Sequence, residues 1–337
     1  MSQDVNHISL ITKIRAMEGR LLTEIDYNNM KNMSSILEVY TYLQDKYEYK
    51  EIFDKYDDIV DLHRNQLEHL LIHVLYSNII KIYKFAIGEE RKLLDIVITR
   101  FEIDMLKKCI SNINKNSTDG KVVTYASFFR KHSDVNFDKL YKAKDINEFI
   151  RYLKGSRYYK IIKDMKYEKY DKLADLEKIL DKEYFLNIWN NKNKLSPRIE
   201  KIVTEIIGTE IDLYNLKNIY RCKKFYNMRS DLIKDYVVNI GYKLKKIQLE
   251  KLIETDNISE FMQEFNKTYY SKLEISFDIK NIETSFENAI NKLHINMLKK
   301  EPNSLARVYV YFDKKNYEIH NITRIIEDIR YKKLVLQ

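Results

Sequence analysis

The stretch VNFDKLYKAKDINEFIRYLKGSRYYKII, residues 135–162, decides the fold because its pattern occurs three times. Asp145 is placed to accept from the backbone N–H groups of a helix's first turn, and Glu148, three residues on, to reach back, which makes a capping box. An apolar stripe follows at Ile146, Phe149, Ile150 and Leu153, closed by Tyr159 and Ile162, while Phe137 and Leu140 sit three apart upstream. This spacing predicts two short helices meeting at a corner.

An earlier copy runs through Tyr27 and Met30, the cap Ser35-Ile36-Leu37-Glu38, the stripe Val39, Tyr40 and Leu43, and the closing pair Tyr49 and Ile52. A later one runs through Leu249 and Leu252, the cap Asn257-Ile258-Ser259-Glu260, the stripe Phe261, Met262 and Phe265, and the closing pair Tyr270 and Leu273, with one residue lost before the tyrosine. The cap residues 35, 145 and 257 are 110 and 112 residues apart. One capping box arises easily by chance; three in matching frames mark an internal repeat.

Long periodic helices are expected after each corner. The last of each set carries an acidic residue, then Asn three residues on, then an apolar residue: Asp212, Asn215 and Leu216 in the second copy, Glu318, Asn321 and Ile322 in the third. The first copy keeps Glu102 and Leu106 but has Met105 in place of the Asn. Three units are therefore expected, at 1–120, 121–235 and 236–337, with the polar stretch Asn114 to Gly120 as the clearest linker. Only 6 Gly and 2 Pro occur in 337 residues, so few tight turns are available and an all-α fold is expected.

The formal charge is +9, from 59 basic and 50 acidic residues. No run of five basic residues occurs, and pairs such as Lys245-Lys246 and Lys299-Lys300 alternate with apolar and acidic residues, as on solvated helix faces. A helical scaffold that binds nucleic acid or another soluble partner through its basic faces is the rival reading. Cys109 and Cys222 lack a Cys or His neighbour and read as buried thiols. No signal peptide is expected from the N-terminus. The apolar segment Leu70 to Ile87 is broken by His73, Asn78, Lys81 and Lys84, so it reads as an amphipathic helix and not a membrane span.

The glycines are too dispersed for a phosphate-binding loop, and no Ser or Cys sits in a nucleophile motif. His69 and His73 share a helix face at metal-ligand spacing, but Leu70 stands where a zincin has its general base, so no metal site, cofactor or catalytic group is expected. An enzyme built from dispersed carboxylates and these histidines is a further rival. Glu102, Asp212 and Glu318 stand out because they occupy equivalent repeat positions. Two roles remain open for them: each ties its own helix to the next, or the three line a shared central surface that grips a partner.

The triple corner, together with Arg15-Ala16-Met17-Glu18-Gly19-Arg20-Leu21-Leu22, Glu210 to Arg221 with Asn215-Leu216-Lys217, Gly241-Tyr242-Lys243-Leu244, Glu301-Pro302 and Glu318 to Ile322, resembles the C subunit of the V/A-type ATP synthases. Its counterpart in eukaryotic vacuolar ATPases is the d subunit. The resemblance covers nearly the whole chain, with two departures: Asn239-Ile240-Gly241 stands where the family commonly has Pro-Gly-Gly, and Met105 replaces the first Asn. It implies a funnel of three helical units with pseudo-threefold symmetry, seated peripherally on the cytoplasmic face of the membrane rotor ring. It further implies a socket for the central shaft, made by the D and F subunits, which transmits torque without bond chemistry, nucleic acid or small-molecule substrate.

Overall fold

Each capping sequence starts a helix where its side chains dictate. Asp145 Oδ1 accepts from the Glu148 N–H at 2.8 Å, Asn257 Oδ1 from the Glu260 N–H at 2.9 Å, and Ser35 Oγ from the Glu38 N–H at 3.2 Å. The returning glutamates do not close onto the cap residue's own N–H. They accept one position earlier, from Lys144, Asp256 and Ser34 at 2.9–3.1 Å. The backbone is extended at each cap, with φ between −143° and −146°, so the preceding amide is the one turned toward the helix.

The structure, a computed structural model, describes residues 2–56, 64–114, 133–163, 173–278 and 281–335. The regular structure there is entirely helical, so the chain is all-α. The first corner follows α1 (Ser2–Glu18) and comprises α2 (Glu24–Lys31), α3 (Ile36–Gln44) and α4 (Tyr47–Phe53); long helices α5 (Arg64–Phe85) and α6 (Glu89–Asn114) come next. The second corner is α7 (Phe137–Leu140), α8 (Ile146–Tyr152) and α9 (Arg157–Lys163), followed by α10 (Leu173–Asn191) and α11 (Pro197–Tyr226). After α12 (Ser230–Ile233), the third corner is α13 (Lys246–Glu254), α14 (Ile258–Phe265) and the 3-10 turn Tyr269–Lys272, then α15 (Ile282–Lys300) and α16 (Ala306–Val335). Beyond Asn114, the expected linker lies outside the described residues. Ser196 occupies the cap position of α11 with Pro197 behind it, but its side chain makes no capping bond.

The tyrosine that closes the second corner is Tyr158, 2% exposed, and not Tyr159, which is half-buried. It is followed four residues on by buried Ile162, as Tyr49 is followed by buried Phe53 and not by half-buried Ile52. A buried pair one helical turn apart shares a face, and that spacing selects the residues. The second and third copies thus share one spacing from cap to tyrosine, and the first is a residue longer. In the second copy the turn passes through Gly155 at φ +97°, a region that L side chains rarely adopt.

Two compact units form. Among the described residues the first holds 2–56, 64–91 and 303–335, so the C-terminal helix shares a unit with the first corner. There α16 packs on α1, α2, α3 and α5, around Leu10, Ile14, Leu43, Phe53, Leu71, Ile79, Val308 and Ile322. The second holds 92–114, 133–163, 173–278 and 281–302. Its α11 packs on α10, α14 and α15, with Leu213, Leu216, Ile219 and Tyr220 meeting Leu252, Phe261, Phe265 and Phe286. Tyr220 lies 5.7 Å from Phe261 and 4.7 Å from Phe277, ring centre to ring centre. Among the described residues no helix is long and apolar enough to cross a membrane.

Candidate functional site

A long helix delivers each repeated acid to a buried position, where it clasps the corner that follows. Asp212 on α11 is fully buried. Its Oδ2 accepts from the Lys243 and Leu244 backbone N–H groups and from the Tyr270 hydroxyl, all at 2.8 Å, and its Oδ1 accepts from the Tyr242 N–H at 3.3 Å. One carboxylate thereby holds the segment leading into α13 and the tyrosine that closes the corner. Asn215, one turn on, brackets the same segment: its amide donates to the Val238 carbonyl and accepts from the Val238 N–H, both at 2.8 Å.

Glu102 on α6, 1% exposed, accepts from the Tyr158 hydroxyl at 2.5 Å, from the Arg157 guanidinium and from the Ser133 hydroxyl. Ser133 Oγ in turn accepts from the Val135 N–H at 3.0 Å, so the serine relays the grip to the backbone just before α7. Glu318 on α16, 1% exposed, accepts from the Leu22 N–H at 2.6 Å and from the Tyr49 hydroxyl and Lys315 ammonium at 2.5 Å each. Lys315 is fully buried, its Nζ 4.4 Å from the Tyr49 ring centre. Met105, at the place in the first copy that corresponds to Asn215, is simply buried.

The order of the clasps is circular along the sequence. The acid of the first copy holds the second corner, that of the second holds the third, and that of the third holds the first. The gripped backbone lies just ahead of the caps Thr23, Asn136 and Lys245 each time. Among the described residues the three acids share no hydrogen-bond partner.

Their electrostatics differ. Glu102 and Glu318 each meet a cation, whereas Asp212 meets only neutral donors. Burial penalises its charge and raises its pKa to about 6, against the lowering effect of the Leu244, Tyr270, Tyr242 and Lys243 bonds. Burial, reinforced by the adjacent carboxylate, also pushes the phenols of Tyr49, Tyr158 and Tyr270 well up, so each stays a donor.

Gly208, one turn before Asp212, sets the distance at which the Tyr242–Leu244 segment approaches α11. A Cβ there would lie 2.6 Å from Tyr242 Cγ and 2.9 Å from its Cδ1. Gly208→Ala is therefore expected to destabilise the chain by about 1–3 kcal/mol from overpacking, despite a helix-propensity gain of about 1 kcal/mol. Equilibrium urea denaturation measures the balance, and a stabilised variant would contradict it.

His69 and His73 lie half-buried on α5. Burial and the neighbouring His69 push His73 down to about 4, and no third His, Cys, Asp or Glu joins the pair at metal-ligand distance among the described residues. Cys109 and Cys222 are both buried, and burial pushes the Cys109 thiol up to about 12, which keeps it from acting as a nucleophile. Sequence reasoning singled out the acids but missed Ser133, Arg157 and Gly208, whose partners lie on separate elements, and Lys315, whose pairing with Glu318 three residues on reads as an ordinary exposed helix pair until its burial is known; the closing tyrosines were its one visible signal.

Comparison with known proteins gives this all-α framework its class. Residues 10–333 match the family described as ATP synthase (C/AC39) subunit. The chain belongs to that family. It is 24% identical over 333 residues to the C subunit of the A-type ATP synthase of Methanosphaera stadtmanae, covering 94% of this chain and 82% of the relative. It is 25% identical over 343 residues to the protein of the same name from Methanococcoides burtonii, covering 95% and 89%, and 25% identical over 334 residues to that of Methanosarcina barkeri, covering 95% and 88%.

Proposed function

We propose that the chain is a non-catalytic rotor subunit of a V/A-type ATPase or ATP synthase, coupling the central shaft, made by the D and F subunits, to the membrane ion-translocating ring. On this reading it sits on the cytoplasmic face as a peripheral subunit. Its three repeats, at 1–120, 121–235 and 236–337, are arranged with pseudo-threefold symmetry as a funnel that receives the shaft. The family match across residues 10–333 carries the proposal.

The clasps support it physically. A coupler that transmits torque must not let its short corner helices swing on the long ones, and a buried, multiply hydrogen-bonded carboxylate at each junction resists that motion. Glu102, Asp212 and Glu318 then act on the partner surface indirectly, as positioning residues, by holding the corners that present it. The test is reconstitution of the ring, head and shaft into vesicles with and without this chain. ATP hydrolysis is expected to drive ion uptake only when the chain is present, and equal uptake without it would overturn the role.

A further inference from the structure

The third corner presents a face that its clasp leaves open. Ile247, in the first turn of α13, is 69% exposed, and Tyr269, at the start of the next turn, is 46% exposed. Gln248 Nε2 donates to the Lys267 carbonyl at 3.3 Å, which ties the first turn of α13 to the residues just before Tyr269. Lys245 and Lys246 directly precede Ile247 in the chain, and Lys243 meets Tyr269. The Lys243 ammonium lies 4.5 Å from the Tyr269 ring centre and 5.3 Å from that of Tyr242, while Lys245 Nζ donates to the Tyr242 carbonyl at 3.0 Å.

These lysines form no ion pair with a carboxylate among the described residues. The other corners differ: Arg20, stacked over Tyr47, is paired with Glu48 at 3.5 Å, and Arg157 is bound to Glu102. Lysines at the cap and first position of α13 also add to the positive end of its dipole, where acidic residues are the stabilising choice. An exposed aliphatic side chain within an unneutralised basic cluster breaks two local rules at one place, and such places are where function overrides stability.

We propose that this face docks an acidic segment of a partner protein, with carboxylates against Lys243 and Lys245 and an aliphatic side chain against Ile247 and Tyr269. Charge complementarity selects the sign of the partner. Two of the three cations are held in place, one by two tyrosine rings and one by a carbonyl, which suits a structured partner with carboxylates at fixed spacing more than a fluid array of lipid headgroups. Two apolar side chains are also little anchorage for a bilayer. The inference deepens the coupling role and rests on it only for which natural partners are tried.

The test uses the full chain, wild type and two variants, Lys245→Glu/Lys246→Glu and Ile247→Ser. Acidic residues suit a helix N-terminus, so the double variant is expected to melt no lower than wild type, which separates lost binding from lost fold. The probes are an immobilised Glu/Leu amphipathic peptide, its Lys/Leu counterpart, the purified shaft and ring proteins, and vesicles of phosphatidylcholine with 30% phosphatidylglycerol. Wild type is expected to bind the acidic peptide, and the shaft or the ring, at least tenfold more tightly than either variant, and to weaken with salt while the double variant does not. Equal binding by the variants, no binding to the acidic peptide, or retention by vesicles alone would overturn the docking face. Failure to bind shaft and ring, with the peptide result intact, would overturn the coupling role instead.

Discussion

Glu318→Ala is expected to destabilise the chain by about 3–5 kcal/mol, because it leaves the fully buried Lys315 ammonium without its counter-charge. The loss goes beyond one ion pair, since the Tyr49 hydroxyl and the Leu22 N–H lose their acceptor in the same step. Each would cost about 1–3 kcal/mol by itself, and these costs overlap where groups share one site. The coupling has a definite sign. Glu318→Gln/Lys315→Met, which removes both charges, is expected to cost less than Glu318→Ala alone. Urea denaturation of Glu318→Ala and of the double variant checks both statements; a loss under about 1 kcal/mol would sink the first, and a double variant no more stable than Glu318→Ala the second.

This clasp was also the least legible in the sequence, for a reason that the numbering makes plain. Glu318 reaches Leu22 across 296 residues and Tyr49 across 269, and no periodicity links residues that far apart. Local signals survived better. Ser35, Asp145 and Asn257 each cap the helix their spacing announced, since an N-cap needs only its own turn. The tyrosine assignment slipped at Tyr158-Tyr159 because adjacent residues of one type offer two registers, and burial four residues apart chooses between them. Equivalence marked Glu102, Asp212 and Glu318 as special without stating their task, and the Gly241-Tyr242-Lys243-Leu244 run, though it carries part of the resemblance, gives no sign that its backbone N–H groups meet Asp212. Lys245 and Lys246 read as an ordinary solvated pair until exposed Ile247 and Tyr269 are placed beside them.

Asp212 should behave unlike Glu318, because nothing positive compensates its charge. Asp212→Ala is expected to cost about 2–4 kcal/mol, as buried donors from Leu244, Lys243 and Tyr270 lose their acceptor. Its pH dependence follows from a carboxyl raised from 3.8 to about 6 in the folded state. Between these values the folded chain holds a proton that the unfolded chain has released, so stability falls as pH rises through the window. The contribution is full below about pH 4, declines by up to about 3 kcal/mol, and is level above about pH 6. Asp26 runs the other way. Burial opposes its ionisation, but Lys46, the Thr23 amide and hydroxyl, and the Tyr42 hydroxyl outweigh that and hold its carboxyl well below the usual range, so its contribution is present above about pH 4 and lost on acidification. Subtracting the Asp212→Asn profile from wild type removes Asp26 and isolates the Asp212 slope. A flat difference between pH 4 and 6 would mean that its neutral donors already offset the burial. Tyr270→Phe sharpens the test: with one donor gone, the Asp212 midpoint is expected to move higher, a change that a merely packing tyrosine would not produce.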